Sequence, residues 1–277
     1  MKYKTEWFND DEFWQHYAPV MFDDKRWAEV PAAADGITRL AGLDLYNEKS
    51  PRRKSGAAVP KNRKSGSQSE SEGPQIIDLC CGFGRITLEL ARRGFTASGV
   101  DITASYLDTA RDDAAYEGLQ IEFIQDDVRK FKRKETYDVA VNLYNSFGYF
   151  ENPKDDLLFL KNAFFSLREN GALIIDVLGK EIAVRDYTEA EWFERAGYTV
   201  LTECFPVDSW ASTWNRWILL KDGKRREKTF VQRLYAASEL RSLLLKAGFS
   251  AVELYGSWDE SPYDNDAQTL IAVARKK

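Results

Sequence analysis

Short apolar runs alternate with segments of helical apolar spacing between residues 75 and 178. Apolar runs bounded by turn residues predict strands at 75–80, 96–100, 121–125, 137–143 and 172–178. Apolar residues at helical spacing predict intervening helices at 84–94, 103–118 and 153–168. Strands that alternate with helices are typical of a parallel sheet covered on both faces. The expected fold class is therefore α/β, with a doubly wound, mostly parallel sheet.

The flanking segments follow other patterns. Aromatic and apolar residues predict two N-terminal helices, at 6–18 and 24–42, with Pro31 as a break or a first-turn residue. Alternating residues predict three antiparallel strands, at 198–207, 212–221 and 225–236. The chain ends with a predicted helix at 238–247 and predicted strands at 250–256 and 269–275. Three antiparallel strands inserted before the last helix predict a β cap over one end of the main sheet.

Composition limits the function classes. A chain of 277 residues with 44% hydrophobic residues favours one large domain with an elaboration. The net charge of −5 argues against a general binder of nucleic acid or anionic membranes. The polar, acidic start does not resemble a signal peptide, and no apolar run approaches membrane-spanning length. The three cysteines form neither a disulfide framework nor a zinc-site pattern. We therefore expect a cytoplasmic enzyme.

The segment 76–85 ends a predicted strand with Asp-Leu-Cys-Cys-Gly-Phe-Gly-Arg, and Asp101 ends the next strand. Gly82 and Gly84 let the backbone approach a ligand, and a carboxylate after the second strand can accept both ribose hydroxyls. A dinucleotide-binding turn needs a further glycine where this chain has Thr87. Asp78 would repel a pyrophosphate and attract a cation. The motif thus predicts a positively charged, adenosine-bearing ligand, with a turn-capping role for Asp78 as the alternative.

This segment resembles motif I of the class I S-adenosylmethionine-dependent methyltransferases. The resemblance implies S-adenosylmethionine (SAM) as the cofactor, S-adenosylhomocysteine (SAH) as its product, and a Rossmann-like methyltransferase sheet with a terminal antiparallel hairpin. It also implies a role for each strand end. Asp78 would bind the ammonium group of the cofactor, Gly82 and Gly84 would admit its backbone-contacting part, and Asp101 would bind the ribose. The remaining cofactor contacts implied are Ile102 on the adenine face, Asp127 on the exocyclic amine (with Asp126 as the competing choice) and a backbone contact at Val128.

The fourth strand is followed by Leu-Tyr-Asn-Ser-Phe-Gly-Tyr, which is similar to the glycine and sarcosine N-methyltransferases. By this resemblance the Leu143 carbonyl would hold the amino group of the cofactor, Asn145 would face the acceptor, and Tyr149 would lie near the methionine end. That group has an arginine after the fifth strand, and residues 176–179 provide none. Glycine is therefore disfavoured as the substrate. A turn-capping role for Asn145 is the alternative.

Methyl transfer from a sulfonium is an in-line displacement whose leaving group departs neutral, so alignment in a dry site is the main requirement. Relatives keep a lid over the cofactor at the position of the N-terminal helices, which implies cofactor or acceptor contacts from Tyr17 and Arg26. His16, the only histidine, is a candidate general base, with a structural role as the alternative. The cap offers Trp214, Arg216 and Tyr235 as candidate acceptor-binding residues, although packing of the cap on the sheet explains such residues equally.

Residues 47–74 are rich in Lys, Arg, Ser, Gly and Pro and predict a flexible linker or surface loop. The expected domains are a helical lid (1–46), this linker, a SAM-binding core (75–197), the β cap (198–236) and a C-terminal completion of the sheet (237–277). We expect a small-molecule N- or O-methyltransferase that uses no metal and does not bind membranes or nucleic acid. A nucleotide-dependent oxidoreductase and a SAM-binding regulatory module without transfer activity are the alternatives.

Overall fold

Two β-sheets organise the computed structural model, which describes residues 6–43 and 73–277. The strands are β1 (Gln75–Leu79), β2 (Thr96–Asp101), β3 (Glu122–Gln125), β4 (Tyr137–Asn142), β5 (Leu167–Val177), β6 (Ala190–Arg195), β7 (Tyr198–Val207), β8 (Ser212–Lys221), β9 (Lys224–Arg233), β10 (Ala251–Tyr255) and β11 (Leu270–Arg275). The helices are α1 (Asp11–Met21), α2 (Asp24–Ala28), α3 (Val30–Ala41), α4 (Arg85–Arg92), α5 (Ala104–Tyr116), α6 (Pro153–Ser166), α7 (Lys180–Arg185) and α8 (Ala237–Ala247), preceded by a 3₁₀ helix at Trp7–Asn9. The predicted linker lies outside the described residues except for Gly73 and Pro74.

The seven-stranded sheet has the order β10-β11-β5-β4-β1-β2-β3. Its strands from β5 to β3 pair in parallel, and β11 pairs antiparallel with both β5 and β10. The predicted α/β class, with a mostly parallel sheet and a terminal antiparallel hairpin, is confirmed. After β1 the chain adds β2 and β3 on one side and then β4 and β5 on the other. The strand order therefore reverses between β1 and β4, which is where open α/β sheets bind their ligands.

Helices cover both faces of this sheet. On one face α3 and α4 pack, with Ile37 and Leu90 fully buried against the strands. On the other face α6 and α8 pack, with Leu160 and Leu240 fully buried. Because α3 belongs to this layer, only residues 6–28 remain as a covering segment, and we call them the N-terminal cover. Among the helices of the described ranges, none is both long and apolar enough to cross a lipid bilayer.

The predicted N-terminal helices differ from the observed ones in their boundaries. The first begins only at α1, because the Asp10 carboxylate caps it by accepting the Phe13 amide at 3.0 Å. The second is divided into α2 and α3. Pro31 lies in the first turn of α3, one of the two roles that the sequence predicted, and a proline there lacks only an amide that would have no helical partner.

The cap is a four-stranded antiparallel sheet with the order β6-β7-β8-β9. The three predicted strands correspond to β7, β8 and β9. The fourth, β6, was not predicted because it is an edge strand of mostly exposed residues without apolar alternation. One face of the cap packs on α1, where Leu219 and Val200 are buried against Phe13 and Tyr17. This contact holds the cap and the N-terminal cover together above the main sheet.

Candidate active site

The reversal point between β1 and β4 carries a buried amide. Asn142 ends β4 and is fully buried, and its Nδ2 donates to the Leu79 carbonyl at the end of β1, at 2.8 Å. Its Oδ1 is buried without a hydrogen-bond partner among the described residues. Buried polar atoms are normally hydrogen-bonded, so an orphaned acceptor at this position marks a place for a ligand donor.

Asp78 of β1 and Thr87 of α4 form a buried, hydrogen-bonded pair. The Thr87 hydroxyl donates to Asp78 Oδ2 at 2.8 Å, and both residues are buried. Burial raises the pKa of Asp78 to about 7, against the opposing hydrogen bond from Thr87 and with a further contribution from Asp101. Thr87, which stands where a dinucleotide turn has its third glycine, therefore supports the Asp78 carboxyl group. A cationic neighbour would stabilise the ionised form of this carboxyl group.

Asp101 holds the turn after β1. Its Oδ2 accepts the Gly82 amide and its Oδ1 accepts the Thr103 amide, each at 2.8 Å. Burial raises the pKa of Asp101, and these backbone donors oppose that rise. Because both oxygens accept from backbone amides, the carboxylate is fixed in one orientation at the end of β2. A carboxylate fixed in this way is preorganised to accept hydroxyl groups.

The glycine turn has a left-handed backbone and is tightly covered. Gly84 has φ +71°, and a Cβ there would lie 2.9 Å from Phe123. Gly82 has φ +56°, and a Cβ there would lie 3.4 Å from Phe22 of the N-terminal cover. Phe22 packs edge-on against Phe83 at 4.9 Å. The turn thus requires glycine for its conformation and lies directly beneath the cover.

After β3, the turn at Asp126–Arg129 brings three charged groups together. The Asp127 carboxylate accepts the Arg129 backbone amide at 2.9 Å and its guanidinium Nε at 3.0 Å. These contacts lower the pKa of Asp127 against the effect of its partial burial, which is the largest single influence. Asp126 instead accepts the amide of Asp127 at 2.8 Å. Val128 is buried, and the Ile102 carbonyl accepts from Gln125 at 3.3 Å, so the remaining predicted adenine contacts lie beside this turn.

The loop after β4 is held in an unusual backbone conformation. Tyr144 and Asn145 have φ values of +54° and +65°. The Asp176 carboxylate at the end of β5 accepts the Tyr144 amide at 3.2 Å, and the Asp176 carbonyl accepts the Asn145 amide at 3.0 Å. The Leu143 carbonyl accepts the Ser146 hydroxyl at 2.7 Å. Such strain is maintained by surrounding contacts and is common at functional sites.

The Asn145 side chain joins this loop to the cap. Its Oδ1 accepts the Leu178 amide at 3.1 Å, and its Nδ2 donates to Gln232 Oε1 at 3.3 Å. Gln232 in turn donates to the Asn145 carbonyl at 3.3 Å. Both the turn-capping interpretation and the acceptor-facing interpretation of Asn145 are compatible with this arrangement, since amide bonds of 3.3 Å are long and can be exchanged for a ligand.

An aromatic wall lies between the N-terminal cover and the cap, and we define it as Trp7, Tyr149 and Phe230. Trp7 stacks on Phe230 with ring centroids 4.6 Å apart and meets Tyr149 edge-on at 4.8 Å. Trp7 Nε1 is buried without a partner among the described residues. Burial raises the pKa of Tyr149, with a smaller contribution from Cys80 of the glycine turn. The wall therefore joins the N-terminal cover, the cap and the loop after β4 by ring contacts.

The cap residues predicted to bind the acceptor lie elsewhere. Strand alternation puts Trp214 and Arg216 on the face of β8 opposite Trp217, whose ring packs on Tyr17 at 6.2 Å. Arg216 donates to Glu227 at 2.7 Å and to Glu203 at 3.1 Å. The structure therefore does not bring Trp214 or Arg216 together with Asn145. Both lie on the outer face of the cap, where Arg216 forms these ion pairs.

Tyr235 and Arg233 meet a buried carboxylate. Asp156 of α6 is fully buried and accepts the Tyr235 hydroxyl at 2.8 Å, and it pairs with the Arg233 guanidinium. The Arg233 amide donates to the Gly148 carbonyl at 2.8 Å. Tyr235 therefore fixes the end of the cap to the main domain, with its hydroxyl already engaged.

The N-terminal candidates are engaged in local contacts. Tyr17 is buried and donates to the Trp217 carbonyl at 2.9 Å. His16 Nδ1 lies 3.8 Å from Glu12 one turn away, with 31% of its side chain exposed. The Arg26 guanidinium pairs with Glu29 at 3.1 Å, and the Arg26 carbonyl accepts from the buried Arg85 at 2.6 Å. A catalytic role for His16 and an acceptor-binding role for Arg26 stay predictions.

Gly148 supports the attachment of the cap and provides a stability test. It has φ +94°, and a Cβ there would lie 2.5 Å from the Arg233 carbonyl oxygen. We expect Gly148→Ala to lower the free energy of unfolding by about 1–2 kcal/mol for the left-handed backbone and by a further ~1–3 kcal/mol for the displaced strand end. Urea denaturation measures this loss.

Gly94→Ala is the matched control, because Gly94 has φ +91° and no atom within 4 Å of its Cβ position. It should lose only the backbone component. Equal losses for the two variants would show that the cap does not press on the loop at Gly148.

Arg129, Asn142, Gln232, Trp7 and Phe230 were not identified from the sequence. A polar residue that ends an apolar strand marks Asn142, and an arginine that follows an acidic turn marks Arg129. Gln232 and Phe230 share the inward face of β9 by strand alternation. No sequence pattern joins Trp7 to them, because that contact depends on how α1 packs on the cap.

The sequence of this chain is similar to those of known methyltransferases. Residues 76–171 match a family model described as a methyltransferase domain. A putative methyltransferase of Geobacillus sp. (strain WCH70) is 23% identical over 214 residues, which cover 73% of this chain and 84% of the relative.

Two solved structures share the fold. A methyltransferase from Clostridium acetobutylicum, described as S-adenosylmethionine-dependent, has a TM-score of 0.71 at 14% identity and covers 96% of this chain and 98% of its own. The SAM-bound amino pentose methyltransferase CalS10 from Micromonospora echinaspora has a TM-score of 0.63 at 16% identity and covers 100% of this chain and 99% of its own.

Proposed function

We propose that this chain methylates an amine of a small molecule. The premise is that it belongs to the class I SAM-dependent methyltransferases. The observation that carries the proposal is the aromatic wall, which joins the cover (Trp7), the cap (Phe230) and the loop after β4 (Tyr149). An acceptor bound there is enclosed by protein on two sides. This enclosure favours a small molecule over a macromolecule.

The residues present fit SAM. Two buried carboxylates, Asp78 and Asp101, accept from neutral donors that include a hydroxyl and two backbone amides. A ligand that brings a cationic ammonium group and a ribose diol compensates their burial. Asn142 Oδ1 adds an orphaned acceptor at the same strand ends. We assign the ammonium group of SAM to Asp78 and the Leu143 carbonyl, and its ribose to Asp101.

The adenine of SAM is assigned to the turn after β3. Asp127 is half-buried and ionised, and the buried Val128 follows it directly. Ile102 follows Asp101 and is placed to cover the adenine face. Gly82 and Gly84 give the turn after β1 its left-handed backbone, and we assign the backbone-contacting part of the cofactor to this turn.

The aromatic wall favours an amine as the methyl acceptor. Ring faces stabilise a cationic nitrogen by about 0.5–2 kcal/mol each, and the nitrogen carries positive charge as it is methylated. Burial raises the pKa of Tyr149, and the oxygen of its protonated hydroxyl can accept an N–H of the amine and so direct the nitrogen lone pair toward the methyl group. An amine that binds in its neutral form needs no protein base, whereas a hydroxyl acceptor does.

The chain contributes alignment rather than acid–base chemistry. SAM supplies the electrophilic methyl group when bound. Asn145 and Gln232 present amide groups beside the wall to orient polar groups of the acceptor. The N-terminal cover excludes water, because Phe22 closes over the glycine turn and Trp7 closes over Tyr149. Positioning and desolvation of this kind account for large rate accelerations in displacement reactions.

The test combines calorimetry with a panel of acceptors. We expect SAH to bind and NAD not to bind, and we expect methyl transfer from labelled SAM to small amines rather than to the matching alcohols. Amino sugars, aryl amines and aliphatic amines form the panel. Binding of NAD without SAH would refute the cofactor assignment. Transfer to alcohols alone would refute the amine assignment and leave the methyltransferase assignment intact.

A further inference from the structure

Arg129 lies where the adenine-binding turn meets the N-terminal cover. One side of its guanidinium binds Asp127, through Nε at 3.0 Å to both carboxylate oxygens. The other side binds Glu6, through Nη1 at 2.8 Å and Nη2 at 2.6 Å. Both contacts are bidentate, and the fixed fork of a guanidinium makes such pairs geometrically demanding.

Aromatic rings and a third carboxylate complete the environment of Arg129. The guanidinium carbon lies 4.8 Å from the centre of the Phe150 ring and 5.5 Å from that of Phe8. Asp155 of α6 lies 3.5 Å away. Only 18% of the Arg129 side chain is exposed, so these interactions are weakly screened by solvent. The residue therefore joins three separate segments of the chain at one charged group.

A continuous path of contacts runs from Arg129 to the acceptor side. Glu6 begins the 3₁₀ turn that carries Trp7, since the Asn9 amide donates to the Glu6 carbonyl at 3.0 Å. Trp7 forms the aromatic wall with Tyr149 and Phe230. Thus Asp127, Arg129, Glu6 and the wall are linked by direct contacts, without an intervening flexible segment among the described residues.

We infer that Arg129 is a positioning residue that couples adenine binding at Asp127 to closure of the N-terminal cover over the acceptor. This inference rests on the proposed function, because it takes Asp127 as the adenine contact. Glu6 on the other side restrains the guanidinium in the position from which it contacts Asp127. Cofactor binding and cover closure then stabilise each other, and such coupling is reciprocal.

Glu6→Gln tests the coupling without altering Asp127. In the wild type, SAH should slow backbone hydrogen exchange in residues 6–21 as well as in the turn after β3. In Glu6→Gln, the protection of 6–21 should disappear while that of the turn remains, and the dissociation constant for SAH should rise about 3–10-fold. A residue that merely stabilises the fold would not produce this ligand-dependent difference.

A double-mutant cycle provides the second readout. Arg129→Met should weaken SAH about 10–30-fold, and Glu6→Gln/Arg129→Met should be no weaker than Arg129→Met alone, since both changes break one path. Glu122→Gln is the matched control, because Glu122 forms a similar bidentate pair with Arg133 away from the turn. It should bind SAH as the wild type does.

Two results would overturn the inference. One is persistent protection of residues 6–21 by SAH in Glu6→Gln, and the other is a double variant weakened by the product of the single effects. Failure of the wild type to bind SAH would instead refute the proposed function, and this is measured before any variant is compared.

Discussion

Asp101→Asn is expected to weaken SAH binding by at least 100-fold, the largest loss from any single polar substitution in the site. The wild-type carboxylate accepts two backbone amides at 2.8 Å and retains lone pairs for the ribose diol. Charge-assisted hydrogen bonds contribute about 1.5–3 kcal/mol each, and every 1.4 kcal/mol is tenfold in affinity. The neutral amide cannot accept at both positions, so the ribose contacts and the turn at Gly82 are weakened together. Isothermal titration calorimetry measures the effect.

The control for Asp101→Asn is Asp112→Asn on the exposed side of α5. It removes the same charge from the same region and should leave the affinity for SAH unchanged. Thermal unfolding of both variants establishes that they fold. An Asp101→Asn protein that folds and binds SAH within threefold of the wild type would remove Asp101 from the ribose site.

Strand ends were the most predictable part of this molecule. Asp78 and Asp101 end short apolar runs, and in a parallel sheet the carboxyl ends of strands meet at one edge whatever the loops do. The sequence alone therefore located both carboxylates at that edge. Thr87 also made a dinucleotide turn the less favoured prediction, and the structure adds that Thr87 donates a hydrogen bond to Asp78.

The acceptor side was much less predictable. Alternation shows that Trp214 and Trp217 lie on opposite faces of β8, but it does not show which face points inward. That choice depends on a long-range contact, the packing of the Trp217 ring on Tyr17 of α1. The aromatic wall has the same origin, since Trp7 reaches Phe230 only through the packing of α1 on the cap. Local patterns do not encode contacts of this kind.

Asp78→Asn should have opposite effects on cofactor binding and on stability. The pKa of Asp78 is raised to about 7 in the folded protein, against about 3.9 in an unfolded chain. The folded state therefore binds more protons than the unfolded state between these values, and the free energy of unfolding falls as the pH rises through that window. An asparagine does not titrate. At pH 8 the ligand-free variant should unfold at a higher temperature than the wild type.

The same proton links pH to cofactor affinity. The ammonium group of SAH favours the ionised carboxylate, so wild-type binding below about pH 7 must first remove a proton from Asp78. Affinity should rise by up to about tenfold per pH unit between pH 5.5 and 7 and level off by pH 8. Asp78→Asn should bind about 100-fold more weakly at pH 8, with an affinity that hardly changes with pH.

Calorimetry of the two proteins across this range, with Asp112→Asn as the charge control, separates the two interpretations of Asp78. If Asp78 only caps the turn, Asp78→Asn should make the protein less stable and leave the pH dependence of SAH binding unchanged. If Asp78 is kept for a cationic ligand, the substitution should make the ligand-free protein more stable and remove the pH dependence of binding. A higher unfolding temperature without ligand, combined with weaker and pH-independent binding, would show that this position is held at a cost to stability because it binds the ammonium group. Wild-type affinity that is flat from pH 5.5 to 8 would contradict that role.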